Sequence, residues 1–480
     1  MLTIALSAIG VGLGLIIGFL AGVAPIALLA VPMLVAVSFV MLRHFEYSVI
    51  MLLVLRSAID SFSEQQLTVA FALGVDALAI AVVILRLLSR QKIHLDRMWI
   101  FFALWCAVQG IWVVLLPLGG LGMGGWMLSD GLREWVRIFS WLMAYLLVMQ
   151  LKGKVPPKTV ITLLFWSLLV PLLVAVLQMT VPSILPPEFS IHGVGAEAAG
   201  PVEDELRVRG SLGHPNGLAT MLFFFLGLTY WKWQSATQPK WPWLLLLGIL
   251  SGFYVTTKAL FSLVMITVFM AIVVARRLSL GSLLGGGLIV ALILTLFGST
   301  EFGQERLASI GSTPLLNPDI DITRAILMSN WDYNSFNWRL SQWYLLWQRW
   351  EEYPWLGYGL GLSLQTAGNG FLPHNDYIRA MIEGGLIGLG TYLMFFVGQM
   401  LHLFRLFQTT TGDQRQLCFI LFAMVPAILM GMLTENIWSH TMLYFYWWTA
   451  VAVAGWDWDE RSQTPEIEPQ LKPSIIDSVI

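Results

Sequence analysis

Gly385-Leu-Ile-Gly-Leu-Gly-Thr-Tyr-Leu-Met-Phe-Phe-Val-Gly-Gln-Met-Leu-His-Leu-Phe404 contains no Asp, Glu, Lys or Arg. A helix that crosses a bilayer needs roughly 20 predominantly apolar residues, and this stretch supplies them. Glu383 stands at its head and Arg405 at its foot. Lys and Arg gather in short cytoplasmic connections. The chain therefore runs here from the outer side of a membrane to the inner side.

Composition extends that reading to the whole chain. Of 480 residues 57% are hydrophobic, only 12% are charged, and 22 are Trp. Soluble globular domains carry about 25% charged residues. A net charge of −2 points away from nucleic acid. The two cysteines, Cys106 and Cys418, lie inside apolar runs, so neither a disulfide framework nor a Cys/His metal site is expected.

Apolar runs occur near 2–20, 24–41, 46–60, 68–88, 97–117, 134–151, 157–180, 215–232, 241–257, 259–276, 279–297, 385–404, 415–434 and 441–456. They predict an all-α polytopic membrane protein of about 14 transmembrane helices, or roughly 12–14, with a large extracytoplasmic loop subdomain. The first run lacks a basic region ahead of it and is followed at once by another, so it reads as a retained span. The third is short and carries Arg56, which fits a partly buried or re-entrant piece.

With the N-terminus inside, the cytoplasmic connections collect Arg43, Arg86, Arg90, Lys92, Arg97, Lys152, Lys154, Lys158, Lys232, Lys240, Arg276, Arg277, Arg405 and Arg415. Both termini then lie in the cytoplasm of a multi-pass inner (plasma) membrane protein. Residues 1–297 form the first eleven spans, with an outer loop at 181–214. Residues 298–384 form a large extracytoplasmic loop, 385–456 the last three spans, and 457–480 a polar, disordered cytoplasmic tail. Long loops of this kind are usually functional.

Basic residues on the outer side oppose the usual bias. Arg133 and Arg137 share one face of a helix at the start of a span. Lys258 interrupts an apolar stretch between two spans, where ionisable groups are costly and tend to be functional. Such cations suit a diphosphate held at headgroup level, both in binding it and in meeting its charge as it leaves. Histidine is the side chain suited to taking a proton near neutral pH. His374 in the long loop is the leading candidate, with His192 and His214 behind it. Trp338, Trp343, Trp347, Trp350 and Trp355 fit an amphipathic helix lying on the membrane. Gly285-Gly-Gly287 reads as close helix packing, and Asp76 as a hydrogen-bonded polar residue within the bundle.

The long loop reads Asn337-Trp-Arg339-Leu-Ser-Gln-Trp343, then Pro354-Trp-Leu-Gly357-Tyr-Gly-Leu-Gly361, then His374-Asn375-Asp376-Tyr377, then Glu383-Gly384-Gly385-Leu-Ile-Gly388. Earlier comes Arg207-Val-Arg209-Gly-Ser-Leu-Gly-His214-Pro-Asn216. In order and placement these elements resemble the O-antigen ligase and polymerase superfamily of membrane glycosyltransferases. The motifs cover roughly Arg207 to Phe404.

The resemblance implies transfer of an oligosaccharide from a polyprenyl diphosphate carrier, such as undecaprenyl diphosphate, to an acceptor hydroxyl in surface polysaccharide biosynthesis. Carried over, the working residues are His374, Arg339 and Lys258, the last replacing the family's usual arginine. Lysine keeps the charge without the planar fork. Arg209, Arg207, Asn216, Arg133, Arg137, Asn375 and Glu383 are the expected substrate-binding set. Glu383 is equally readable as a helix-terminus acid. No cofactor and no metal are expected. The partners are the lipid-linked glycan donor, a glycan or lipid-core acceptor and the bilayer. Whether the acceptor makes a ligase or a polymerase stays open. A solute or ion transporter is the alternative of a different class, although transporters place their charges near the midplane.

Overall fold

A computed structural model describes residues 41, 43–63, 67–118, 127–191, 207–276, 280–301, 303–305, 308, 313–314, 317–329, 335–367 and 371–458. They are overwhelmingly helical, and no β-strand occurs among them. The expected span at 2–20, all but the last residue of that at 24–41, and the expected tail beyond Trp458 lie outside the described residues.

In chain order the helices are α1 (Phe45–Leu55), α2 (Leu67–Leu88), α3 (Arg97–Leu118), α4 (Leu128–Met149), α5 (Pro157–Leu164) and α6 (Leu169–Thr180). Then come α7 (Pro215–Ser235), α8 (Trp241–Thr256), α9 (Leu260–Ala275) and α10 (Leu280–Ser299). The expected outer loop contributes α11 (Ile322–Ser329), α12 (Ser335–Trp350) and α13 (Ser363–Ala367). Helices α14 (Asp376–Thr409), α15 (Gly412–Gly431) and α16 (Thr441–Ala454) complete the bundle.

Among the described residues, five stretches are long and apolar enough to cross a membrane: Leu67–Leu88, Arg97–Leu115, Pro157–Thr180, Asp376–Thr409 and Gly412–Gly431. Trp241–Thr256 and Leu260–Ala275 are apolar but shorter. Helix α16 is wrapped by protein along its whole length after Thr441, and α7 is buried from Leu218 to Thr229. These two form the centre, around which α4, α9 and α15 pack.

The run at 46–60 is not a full helix. Helix α1 ends at Leu55 and gives way to 3-10 turns. Arg56 is buried there, paired with Asp60 and stacked over Phe71 and Phe445. The cation thus sits inside protein instead of facing lipid, as an irregular segment at membrane depth requires. Asp76 of α2 accepts from Ser140 Oγ of α4 at 2.9 Å, a bonded polar residue within the bundle.

The basic residues at the expected cytoplasmic connections meet at one end of the bundle. Lys158 pairs with Asp413, Lys154 with Glu46, and Lys232 donates to Thr162. Arg276 and Arg415 both stack on Phe407. At the opposite end, α14 begins at Asp376 and breaks at Gly385, where φ is 62°. A turn over 354–359 fills the break. Leu386 N donates to Pro354 O at 2.9 Å and Ile387 N to Trp355 O at 3.3 Å. Tyr358 N and Gly359 N donate in return to Ile382 O and Glu383 O, each at 2.9 Å.

Glycine is required on both sides of this joint. A Cβ on Gly385 would lie 2.2 Å from the Trp355 carbonyl carbon, and one on Gly357 2.4 Å from Ile382 O. The Pro354–Gly361 and Glu383–Gly388 motifs therefore interlock. Between them they satisfy the backbone groups that the broken helix exposes.

Candidate functional site

The interlocked joint fixes the first turns of α14, and the segment before it is pinned as firmly. Asn375 Oδ1 caps the helix by accepting from Tyr377 N and Ile378 N, each at 3.0 Å, and its Nδ2 donates to Leu433 O at 2.9 Å. Asp376 N donates to Met432 O at 2.9 Å, and its carboxylate accepts from Trp438 N at 2.8 Å. His374 precedes this clamp and has a left-handed backbone, φ 49°. An L-residue in that region is uncommon and strained, and such strain persists where the surroundings over-determine it.

The His374 imidazole is a quarter exposed, at 26%. It meets the edge of Trp338 from α12 with ring centroids 5.8 Å apart. Helix α12 is held in place because Trp343 Nε1 and Gln342 Nε2 donate to Pro373 O and Phe371 O at 2.6 and 2.9 Å. It carries Arg339 on the same side.

Opposite His374 lies Glu435, in the connection between α15 and α16. One carboxylate oxygen stands 3.5 Å from His374 Nδ1. The other accepts from Asn216 Nδ2 at the start of α7. Asn216 Oδ1 accepts from Arg207 Nη2 at 2.7 Å, and Arg207 Nε donates to Thr257 O at 3.0 Å. The next residue is Lys258, in the turn between α8 and α9, with φ 50°. His440 closes the circle, its Nδ1 lying 3.1 Å from Thr220 Oγ1 of α7.

Electrostatics follow the geometry. Burial by itself would raise the Glu435 carboxyl, but His374, His440 and Arg339 hold it well below the usual carboxylate range. Burial pushes the His440 imidazole down, with Arg137 and His374 adding to the effect and Glu435 and Asp60 opposing it. A carboxylate kept charged among imidazoles and guanidinium groups makes a polar basin where one end of α7, α8, α14 and α15 meets.

Of the residues singled out in the sequence, His374, Arg339, Arg207 and Asn216 meet around Glu435, with Lys258 one residue beyond the carbonyl that Arg207 holds. The others lie elsewhere. Arg209 turns its guanidinium into backbone, donating to Ser190 O at 2.6 Å, Gly213 O at 3.1 Å and Glu188 O at 3.3 Å. Asn375 is a helix cap. Glu383 is buried and accepts from Ser363 Oγ at 2.7 Å and Arg379 Nε at 2.9 Å. Arg137 pairs with Glu134 and stacks over Trp141, well inside α4 instead of at its start. Arg133 is exposed on α4, with no ion pair among the described residues. His214 caps α7, accepting from Asn216 N at 3.1 Å, and His192 lies outside the described residues.

Glu435 and His440 are absent from the expected set. The signal for them is a short connection, Thr434-Glu-Asn-Ile-Trp-Ser-His440, that places an acid and an imidazole between two apolar helices.

An exposed imidazole edge beside a buried carboxylate, with guanidinium groups on two sides, is able to take a proton from a hydroxyl and to meet an anion. Residues 217–393 match a family model described as O-antigen ligase. That match bears out the resemblance drawn from the motifs. It takes in Lys258, Arg339, His374, Asn375 and Glu383, and stops short of Arg207, Arg209 and Asn216 on one side and of Glu435 on the other. No curated protein matches the chain.

Proposed function

We propose that this chain, a member of the O-antigen ligase/polymerase superfamily through residues 217–393, transfers an oligosaccharide from a polyprenyl diphosphate carrier to an acceptor hydroxyl. The transfer takes place at the outer face of the inner membrane. The observation that carries the reading is His374, strained in backbone, partly open to solvent and set against Glu435 among cationic side chains.

In the transfer, His374 Nε2 takes the proton of the acceptor hydroxyl as its oxygen attacks the anomeric carbon. The bond from that carbon to the diphosphate breaks, and the leaving oxygen carries away the electron pair. Arg339 and Lys258 meet the charge, so the diphosphate departs without being protonated. A single displacement inverts the anomeric centre. The reaction needs one base and several cations, and no step requires a metal. The collection of Lys158, Lys154, Lys232, Arg276 and Arg415 at the far end of the bundle supports placing this basin on the outer side.

Lipid extracts test the proposal. Cells whose only copy carries His374→Ala are expected to accumulate carrier-linked oligosaccharide while the protein stays in the membrane. Unchanged carrier lipids together with lost uptake of a solute would overturn it in favour of a transporter.

A further inference from the structure

We infer that Glu435 is a positioning residue for this transfer: it directs the Nδ1–H tautomer of His374 and leaves Nε2 to the acceptor. The inference rests on the reading of His374 as the base.

Glu435 is only 5% exposed and has little freedom to turn. One oxygen is taken by Asn216 Nδ2, while the other accepts from Asn436 N at 3.0 Å and faces His374 Nδ1 at 3.5 Å. That last distance is long for a hydrogen bond, as is common before substrate closes a site. His374 Nδ1 is shielded from solvent and has no hydrogen-bond partner among the described residues. An N–H buried without an acceptor is costly. The proton on Nδ1 therefore belongs toward Glu435, and the lone pair on Nε2 points away from it. Once His374 has taken the acceptor proton, the same carboxylate faces an imidazolium and stabilises it.

Glu435 is itself poorly placed to be the base, because both its oxygens are occupied by fixed donors and neither is open to a substrate. Its holder reaches further back. Arg207 fixes Asn216, and Asn216 fixes Glu435. This gives the Arg207–Asn216 motif a task that needs no contact with the glycan.

Charged and titratable groups bear on this pair from every side. Arg339 comes from α12, His440 from the same connection as Glu435, and Arg137 and Asp60 act through His440. Lys258 follows the turn that Arg207 holds, and Asp376 and Arg379 lie on α14 itself. Glu435 stands within ion-pair distance of the His374 ring. Removing its charge should leave the imidazolium formed on His374 less stabilised.

The test uses the full chain in right-side-out membrane vesicles, with the loss of endogenous carrier-linked oligosaccharide followed against external pH. Glu435→Gln keeps the shape and the bond to Asn216. It is expected to slow transfer on the order of 10²-fold or more. The acid limb of its rate profile should move to lower pH, while carrier-lipid binding stays unchanged. Glu435→Asp should return part of the rate and move the limb back. A Glu435→Gln variant at the wild-type rate, or one slowed with its acid limb unmoved, overturns the inference and leaves His374 as base intact. His374→Ala at the wild-type rate overturns the reading of the base, and this inference with it.

Discussion

Lys258 and His374, from turns far apart in the chain, adopt the same left-handed backbone, with φ 50° and φ 49°. Among the described residues Arg90 is the one other non-glycine with a positive φ. For an L-residue this conformation costs roughly 1–2 kcal/mol, and glycine escapes the cost. The protein thus keeps strained side chains at two positions where glycine would be more stable. His374→Gly is expected to be more stable than His374→Ala by about 1 kcal/mol, with both inactive. Thermal unfolding in detergent measures the difference, and the reverse order would contradict the strain.

Loss of a cation should act on rate and leave folding alone. Arg339→Ala and Lys258→Ala are each expected to lower transfer by about 10²–10³-fold, the usual effect of removing one preorganised donor. Lys258→Arg should retain activity, because the charge is kept at the same turn. Normal turnover in either alanine variant would remove the leaving-group role.

Deeper in the bundle the expectation is reversed. Arg379 is buried and donates to Glu134 Oε1 and Ser439 Oγ, each at 2.8 Å, and to Glu383 Oε1 at 2.9 Å. This guanidinium joins α4, α14 and the α15–α16 connection. Breaking a buried ion pair by removing one partner costs about 3–5 kcal/mol. Arg379→Ala should therefore reduce the amount of folded protein in the membrane, which immunoblotting of detergent extracts reads directly. Full accumulation of that variant with a selective loss of transfer would make Arg379 part of the chemistry instead.

Acid should destabilise the protein in two stages. His440 has an ordinary value of 6.5 and Glu435 one of 4.5, and both are held lower in the folded chain. On acidification the unfolded chain therefore binds protons first, and stability falls with pH. The contribution of His440 is intact above about 6.5 and erodes below it; that of Glu435 is intact above about 4.5 and erodes below that. The unfolding temperature should be flat in mildly alkaline buffer, fall below the first value and steepen below the second. In His440→Gln the first stage should become smaller. An unfolding temperature that rises on acidification through this range would reverse the sign.

Sidedness is open to labelling. The native cysteines Cys106 and Cys418 are buried, so an introduced thiol dominates the signal. Glu352→Cys, at an exposed position after α12, is expected to react with an impermeant thiol reagent before the inner membrane is broken. Ser235→Cys, at the end of α7, should react only afterwards. The opposite pattern would put the site on the cytoplasmic side.

The sequence by itself determined where most of the described helices lie. Leu67–Leu88, Pro157–Thr180 and Trp241–Thr256 fall within a few residues of the apolar runs, because the length of an apolar run is a local property set by the thickness of hydrocarbon. It also marked the motif residues and the cations, since charge is costly wherever the chain is otherwise apolar. Which of those residues act together was decided by the tertiary structure. Arg207 and Arg209 look equivalent in sequence, yet one holds Asn216 and the other is spent on carbonyls of its own loop. Glu383, readable in sequence either as a substrate residue or as a helix-terminus acid, is locked by Ser363 and Arg379, while Glu435, marked by no motif, faces His374. A buried polar side chain takes its role from the partners that satisfy it. Those partners come from α4, α7, α12 and the α15–α16 connection, and no local spacing in the chain records that they meet.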